Sequence, residues 1–232
     1  MLTKIYNKLL DSFGKQGWWP LTIEGFESKH HAGEPQNDKH IFEIIIGAVL
    51  TQNTNWKNVE KALYNLSKNN LLSIEKIKKI KKEKLAELIR PAGYYNQKAE
   101  RLKLIAEFLS KNQINKLKKE NIKTLREKLL NVKGIGPETA DSIILYAFQK
   151  PMFVIDAYTQ RIFKRLGYRK SNYDEWQELF MDNLDKDHNL FNEYHALLVE
   201  LGKNYCKKKP MCGKCPLNNS CKKDLNNITA NK

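Results

Sequence analysis

The sequence lacks the features of a membrane or secreted protein. No apolar run reaches the length of about 20 residues that a membrane-spanning helix requires. The first residues contain no continuous apolar core followed by small residues, so we expect no secretory signal. No cysteine precedes Cys206, and the four cysteines are clustered, which argues against a disulfide framework. We therefore expect a cytoplasmic protein that makes no membrane contact.

Acidic residues are scarce relative to basic ones. The 232 residues include 41 Lys and Arg but 26 Asp and Glu, which gives a net charge of +15. Such an excess favours a polyanionic partner, with nucleic acid the first candidate and an anionic membrane surface the second. A lysine-rich, solvated surface that binds nothing explains the same count. Charge by itself leaves these alternatives open.

Strand-like segments are also few. Runs such as Pro151 to Ile155 are too rare to build a sheet. Apolar residues instead recur at helical spacing in most of the chain, as in Leu2 to Phe13, Phe42 to Leu50, Leu102 to Leu109 and Leu125 to Leu130. The pattern predicts an all-α fold of many short helices.

A glycine-rich turn separates two helical stretches at residues 132–140. Gly134 and Gly136 allow backbone angles that side chains forbid, and they leave the neighbouring N–H groups open to a phosphate. Pro137 suits the first turn of the next helix, whose N-terminus attracts the same anion. Ile135 can plug into the core and brace the turn. An ordinary corner between two helices is the alternative interpretation.

Four cysteines lie close together near the end of the sequence. Their spacing is C-x5-C-x2-C-x5-C, which indicates a metal site rather than disulfides in a cytoplasmic protein. Zinc and a [4Fe–4S] cluster both accept four thiolates. Lysines inside the loop offset the negative charge of such a site and present positive charge to phosphates, so we expect a structural and DNA-docking role. The cysteines are Cys206, Cys212, Cys215 and Cys221.

The order of the hairpin, the segment Val154 to Thr159 and the cysteine loop resembles the endonuclease III family over residues 15–222. The resemblance implies a two-lobed helix-hairpin-helix DNA glycosylase fold with a C-terminal [4Fe–4S] cluster loop and DNA bound across the cleft. It also implies a division of the chain. A helical barrel that ends in the hairpin would span residues 33–149, a cluster-bearing domain would combine 1–32 with 150–222, and 223–232 would be a polar tail.

Asp156 is the catalytic carboxylate that the resemblance implies. Breaking an N-glycosidic bond builds positive charge on the sugar, which a fixed carboxylate stabilises, and the same group can orient a water. Asp156 could instead be simply the N-cap of the helix that runs to Leu166 and ends at Gly167. The two roles are compatible, because an N-cap is a rigid mount for a carboxylate.

The hairpin departs from the family pattern at Glu138. Bifunctional members have a lysine there, which attacks the sugar and forms a Schiff base. A carboxylate cannot form an imine, so Glu138 at this catalytic position predicts a monofunctional enzyme that leaves an abasic site. Lys133 is on the wrong side of the turn to replace that lysine. Lys133 and Thr139 join Gly134, Ile135 and Gly136 as the predicted DNA-binding residues of the hairpin.

Two further segments resemble the loops with which the family opens the duplex. Gln52, after an apolar helix, would fill the hole left by a flipped base, and Tyr94, in the segment Gly93 to Ala99, would press on the opposite strand. An ordinary helix end and an ordinary turn are the alternatives.

The base pocket resembles that of a narrower branch, the 3-methyladenine DNA glycosylases on the same scaffold. Trp18, Trp19, Pro20 and Trp56 match its aromatic residues, and that branch has a glutamate at the position of Glu138. Electron-rich indoles attract a cationic alkylated purine more than a normal base. The tryptophans could instead be core anchors.

The resemblance therefore implies a monomeric glycosylase, associated with the nucleoid, that acts on double-stranded DNA containing a damaged base, with alkylated purines preferred and a [4Fe–4S] cluster as cofactor. Two other functions stay open. One is an endonuclease III-like glycosylase and lyase, or a glycosylase for pyrimidine lesions. The other is a non-catalytic DNA-binding module that uses the cysteines for zinc.

Overall fold

A computed structural model describes residues 1–22, 28–29 and 35–223. The predicted domain boundary between residues 32 and 33 lies outside these residues, as does the predicted tail from residue 224 onward. Within the described ranges, no helix combines the length and the hydropathy needed to cross a bilayer.

The fold is mostly helical, as the periodicity predicted. A 3-10 turn at Arg90–Ala92 and a π-helical turn at Ile143–Ala147 lie between the helices, and two 3-10 turns of the cysteine loop (Cys212–Lys214 and Asn218–Ser220) follow the last helix. In chain order the helices are α1 (Leu2–Phe13), α2 (Asp38–Leu50), α3 (Trp56–Lys68), α4 (Ile74–Lys79), α5 (Lys82–Leu88), α6 (Tyr95–Asn112), α7 (Ile114–Lys119), α8 (Ile122–Leu130), α9 (Pro137–Ser142), α10 (Ala157–Leu166), α11 (Tyr173–Met181) and α12 (His188–Asn204).

The strands in the described part of the chain are two residues long. β1 (Leu21–Thr22) and β2 (Ser28–Lys29) pair antiparallel, with Leu21 opposite Lys29. The segment at 151–155 has no regular secondary structure and pairs with no described strand. A sheet therefore contributes little to this fold.

The chain forms two compact units. The terminal unit comprises residues 1–17 and 151–232, and the central unit comprises residues 18–150. α1, α10, α11 and α12 belong to the terminal unit, and α2 to α9 belong to the central unit.

Aromatic packing forms the core of the terminal unit. The rings of Phe153 and Phe180 stack with centroids 3.9 Å apart, and Tyr194 of α12 meets both. The hydroxyl of Tyr194 donates to the carbonyl oxygen of Leu2 at 3.0 Å, which fastens α1 to α12. Gly202 lets α10 approach α12, because a Cβ there would lie 2.4 Å from the ring of Tyr158.

Helix α2 is the core of the central unit. All ten residues from Ile41 to Leu50 are buried, although the sequence suggested one apolar face. The reason is that α3, α6, α9 and the π-helical turn pack around α2 from several sides. A helix surrounded in this way is apolar around most of its circumference, and its one buried carboxylate, Glu43, accepts a hydrogen bond from Thr22.

Candidate active site

The glycine-rich turn joins α8 to α9 as a helix-hairpin-helix. Gly134 has φ +89°, a left-handed conformation that favours glycine, and Ile135 is buried beneath the turn. Gly136 caps α9, and a Cβ built on it would have open space within 4 Å. Among the described residues, the amides of Gly134 and Gly136 meet no hydrogen-bond acceptor. The turn thus offers backbone N–H groups to an incoming anion.

Gln52 lies against this hairpin. Its amide nitrogen donates to the carbonyl oxygen of Gly134 at 3.1 Å and to the hydroxyl of the buried Thr139 at 2.9 Å. Its amide oxygen accepts a hydrogen bond from the guanidinium of Arg101. The next residue, Asn53, is exposed with φ +53°. Both ends of the Gln52 amide are therefore engaged, whereas Asn53 projects outward.

Two more predicted DNA-binding residues, Tyr94 and Lys133, and the predicted catalytic residue Glu138 are at the surface. Tyr94 is 65% exposed, in a left-handed conformation directly before α6. Glu138 lies in the first turn of α9 and is exposed. Lys133 is also exposed and forms an ion pair with Glu100, with 3.3 Å between Nζ and Oε1.

Trp18, Trp19 and Trp56 come together in one aromatic cluster. Their ring centroids are 4.9–5.4 Å apart, and Tyr146 from the π-helical turn adds a fourth ring 5.1 Å from Trp19. Trp19 lies flush against α2, because a Cβ at Gly47 would be 2.9 Å from its indole. Within the described residues, the buried indole N–H groups of Trp19 and Trp56 meet no acceptor.

Pro20, the fourth residue of the predicted pocket, is buried directly after Trp19. β1 follows at Leu21–Thr22, and the amide of Thr22 donates to the buried carboxylate of Glu43 on α2 at 2.6 Å. Burial raises the pKa of Glu43, while its hydrogen bonds with Thr22 act in the opposite direction. These contacts hold the tryptophan pair at a fixed place on α2.

Asp156 is the N-cap of α10, as predicted. Its Oδ1 accepts from the amide of Thr159 at 2.7 Å, and α10 ends at Gly167 with φ +99°. Its Oδ2 lies 3.8 Å from Nε2 of His195 on α12. Burial lowers the pKa of His195, although the charge of Asp156 acts the other way. Near neutral pH, a fixed carboxylate therefore faces a neutral imidazole.

The four cysteines line one cavity in the terminal unit. The buried guanidinium of Arg165 donates to Sγ of Cys206 at 3.1 Å and to the carbonyl oxygens of Lys207 and Lys208 at 2.6 and 3.0 Å. Burial raises the pKa of the Cys215 and Cys221 thiols, and the neighbouring thiols add to the increase. Among the described residues, no three His, Cys, Asp or Glu side chains are arranged to share a single metal ion.

A profile of the HhH-GPD superfamily base excision DNA repair proteins matches residues 46–186, from α2 through the hairpin and α10 to beyond α11. The chain belongs to this superfamily.

Individual superfamily members resemble the chain over most of its length. A candidate DNA repair glycosylase of Methanocaldococcus jannaschii is 46% identical over 228 residues, covering 95% of this chain and 96% of that protein. Endonuclease III of Thermotoga maritima is 32% identical over 191 residues, covering 81% of this chain and 86% of that protein.

Two solved structures are similar in fold. The 3-methyladenine DNA glycosylase of H. pylori bound to 1,N6-ethenoadenine is 33% identical with a TM-score of 0.69, covering 87% of this chain and 97% of that chain. A trapped endonuclease III–DNA covalent intermediate has a TM-score of 0.75 and covers 96% of each chain. At 21% identity, this second likeness shows the fold alone.

As a superfamily member, the protein is a DNA base-excision repair glycosylase with a mostly helical helix-hairpin-helix fold. The predictions of family, of general enzyme class and of helical fold are confirmed.

Sequence reasoning missed four residues that contact the predicted site residues or the segments that carry them. Arg101 and Lys98 lie in a helix with many charged residues, where one buried lysine looks like its exposed neighbours. His195 was one histidine in an apolar helical stretch. Tyr146 lay in an apolar run, and its direction depends on the π-helical turn, which the periodicity does not reveal.

Proposed function

We propose that this glycosylase is monofunctional and releases alkylated purines, such as 3-methyladenine, from double-stranded DNA. The observation that carries the proposal is the aromatic cluster of Trp18, Trp19 and Trp56 with Tyr146. Four electron-rich rings attract a cationic alkylated purine through cation–π and stacking interactions more strongly than a neutral base. The unpaired indole N–H groups add donors for acceptor atoms of the base.

The similarity to the H. pylori 3-methyladenine glycosylase supports the same substrate class. The chain is 33% identical to that enzyme and covers 97% of its length, so the resemblance extends through both units. Release of methylated purine distinguishes a base pocket from a packed aromatic core.

Glu138 supports release without strand cleavage. Its carboxylate lies in the first turn of α9, where a lyase would need an amine to form a Schiff base. Lys133 is the nearest amine in the hairpin sequence, but it lies on the other side of the glycine-rich turn from Glu138. We therefore propose that the product is an intact strand with an abasic site.

Asp156 is the proposed catalytic carboxylate. As the C1′–N bond breaks, its electron pair leaves with the base and positive charge develops on the sugar, which the Asp156 carboxylate stabilises. Water then adds to C1′ and loses a proton. The hydrogen bond from Thr159 fixes Oδ1, and the neutral His195 places no opposing charge beside Oδ2.

The cysteine cavity fits a metal group held by four thiolates, because all four cysteines line it. The similarity to endonuclease III favours an iron–sulfur cluster over zinc at this place. Cys206, Cys212, Cys215 and Cys221 would hold a [4Fe–4S] cluster. When bound, the cluster supplies structural cross-linking of the loop.

A panel of labelled duplexes tests the proposed function. Each duplex carries a methylated purine, an oxidised pyrimidine or a thymine–guanine mismatch, and product is analysed with and without alkali. We expect release of methylated purine, with a nick that requires alkali. Activity on the pyrimidine lesions without release of methylated purine would contradict the substrate assignment.

Borohydride trapping tests the monofunctional mechanism separately. We expect no covalent protein–DNA adduct with the methylated duplex. A trapped adduct would show an imine and would contradict the proposed role of Glu138, whatever the substrate.

A further inference from the structure

Helix α6 contacts all three segments proposed to touch DNA in the central unit. These are the segment that follows α2 and carries Gln52, the segment before α6 that carries Tyr94, and the hairpin turn. Two side chains of α6, Lys98 and Arg101, make the contacts.

Lys98 is a cation inside the core. It is 1% exposed, and its Nζ donates to the carbonyl oxygens of Leu50 at 2.9 Å and Ala92 at 2.7 Å. Leu50 ends α2 and Ala92 ends a 3-10 turn, so both carbonyls belong to helix ends that lack intrahelical partners. Leu50 lies two residues before Gln52, and Ala92 lies two residues before Tyr94. One ammonium group therefore joins the Gln52 and Tyr94 segments.

Arg101, one helical turn further along, extends the connection to the hairpin. Its guanidinium donates to the amide oxygen of Gln52, whose nitrogen donates to Gly134 and Thr139. The aliphatic part of Arg101 runs beside Gly134, where an added Cβ would lie 2.6 Å from Cγ of Arg101. Arg101 thus contacts both Gln52 and the hairpin turn and holds them together.

The charge states agree with these roles. Burial lowers the pKa of Lys98 to about 8, with the charge of Arg101 contributing. Lys98 therefore keeps its proton near neutral pH, and even the neutral amine would retain two N–H donors for its two carbonyl acceptors. The exposed ion pair between Lys133 and Glu100 adds little, because water screens it.

We propose that Lys98 and Arg101 are positioning residues for damage recognition, which hold the Gln52 segment, the Tyr94 segment and the hairpin in one arrangement. The proposal rests on the proposed function, since it takes these three segments to be the DNA-contacting ones. Displacement of any one of them would weaken binding to a distorted duplex more than binding to a regular one.

Lys103 provides a matched control on the same helix. It also donates to helix-end carbonyl oxygens, those of Ile77, Lys78 and Ile80, at 3.1, 2.8 and 2.5 Å. Those residues end α4, which carries none of the proposed DNA contacts. Lys103→Met therefore removes a structural lysine cap with no expected effect on recognition.

The test compares Lys98→Met, Arg101→Met and Lys103→Met with the wild type in the full-length protein. Dissociation constants are measured for an undamaged duplex and for the same duplex with a tetrahydrofuran abasic-site analogue. The readout is their ratio, which loss of positive charge alone would leave unchanged because it weakens both complexes. We expect the ratio to fall about tenfold in Lys98→Met and Arg101→Met and to be preserved in Lys103→Met.

An unchanged ratio in Arg101→Met, or an equal fall in Lys103→Met, would overturn the proposal. If Lys98→Met does not fold, the affinity ratio of Arg101→Met decides the outcome, because Arg101 is partly exposed and its replacement perturbs the core less. If the wild-type protein bound the analogue duplex no more tightly than the undamaged duplex, that result would contradict both the proposed function and this proposal. If Lys98→Met and Arg101→Met kept the wild-type preference for the analogue duplex, that result would contradict this proposal but not the proposed function.

Discussion

At the scale of single residues, the two hairpin glycines should respond differently to alanine. Gly134 has a positive φ and Arg101 beside it, so we expect Gly134→Ala to lower the free energy of unfolding by about 2 kcal/mol. Gly136 has a negative φ and open space around it. We expect Gly136→Ala to cost less than about 1 kcal/mol but to weaken DNA binding, since its methyl group projects toward the expected phosphate.

Urea unfolding gives the free energy of unfolding of Gly134→Ala and Gly136→Ala, and DNA titration gives their affinities. Equal DNA affinity of Gly136→Ala and the wild type would contradict phosphate binding at the turn. Gly213→Ala is a control for the unfolding measurement alone, because an added Cβ there also meets open space but the cysteine loop is itself expected to dock DNA.

Lys98 predicts a pH dependence of stability. The folded protein releases the Lys98 proton at a pKa of about 8, whereas the unfolded chain keeps it until about 10.5. Between these values the unfolded state binds more protons, so raising the pH favours folding. We expect the free energy of unfolding to increase from pH 8 to 10 relative to Lys98→Met. Parallel pH profiles of the two proteins would contradict this.

At the scale of elements, local chemistry predicted helix ends well. Asp156 and Gly167 were identified from sequence as the cap and the end of one helix, which α10 confirms. The glycine-rich turn was likewise predicted between two helices. These features depend on residues close in sequence, whose caps and allowed backbone angles act locally.

Contacts between distant elements could not be predicted in this way. The tryptophan pair and Trp56 were grouped through the family resemblance, but Tyr146 was missed. One extra residue in the π-helical turn rotates the following side chains by roughly 100°. Lys98 is buried because the C-terminal end of α2 and the Arg90–Ala92 turn both pack against α6, where their carbonyl oxygens accept hydrogen bonds from its Nζ. The residues near Lys98 in the sequence do not predict this contact.

The cysteine loop predicts a dependence on iron. We expect the purified protein to contain iron and to absorb broadly in the visible, and Cys212→Ser to lose both. Because the cluster cross-links the loop, this variant should also unfold at a lower temperature. Metal analysis together with thermal unfolding checks the prediction. Zinc in place of iron would contradict it.

At the scale of the whole molecule, the net charge of +15 predicts a strong salt dependence of DNA binding. If about six phosphates are neutralised, affinity should fall roughly a thousandfold between 50 and 200 mM salt. Anisotropy titrations over this range, on undamaged duplex, give the slope directly. A flat dependence would mean that the basic residues form a solvated surface that does not face DNA.

The proposed hydrolysis depends on the Asp156 carboxylate, and single-turnover base release tests this dependence most directly. Asp156→Asn keeps an oxygen that can cap α10 but removes the charge. With a duplex containing 3-methyladenine, we expect release to slow on the order of a thousandfold while affinity for the duplex is retained. Release at the wild-type rate by a folded Asp156→Asn protein would contradict the proposed mechanism.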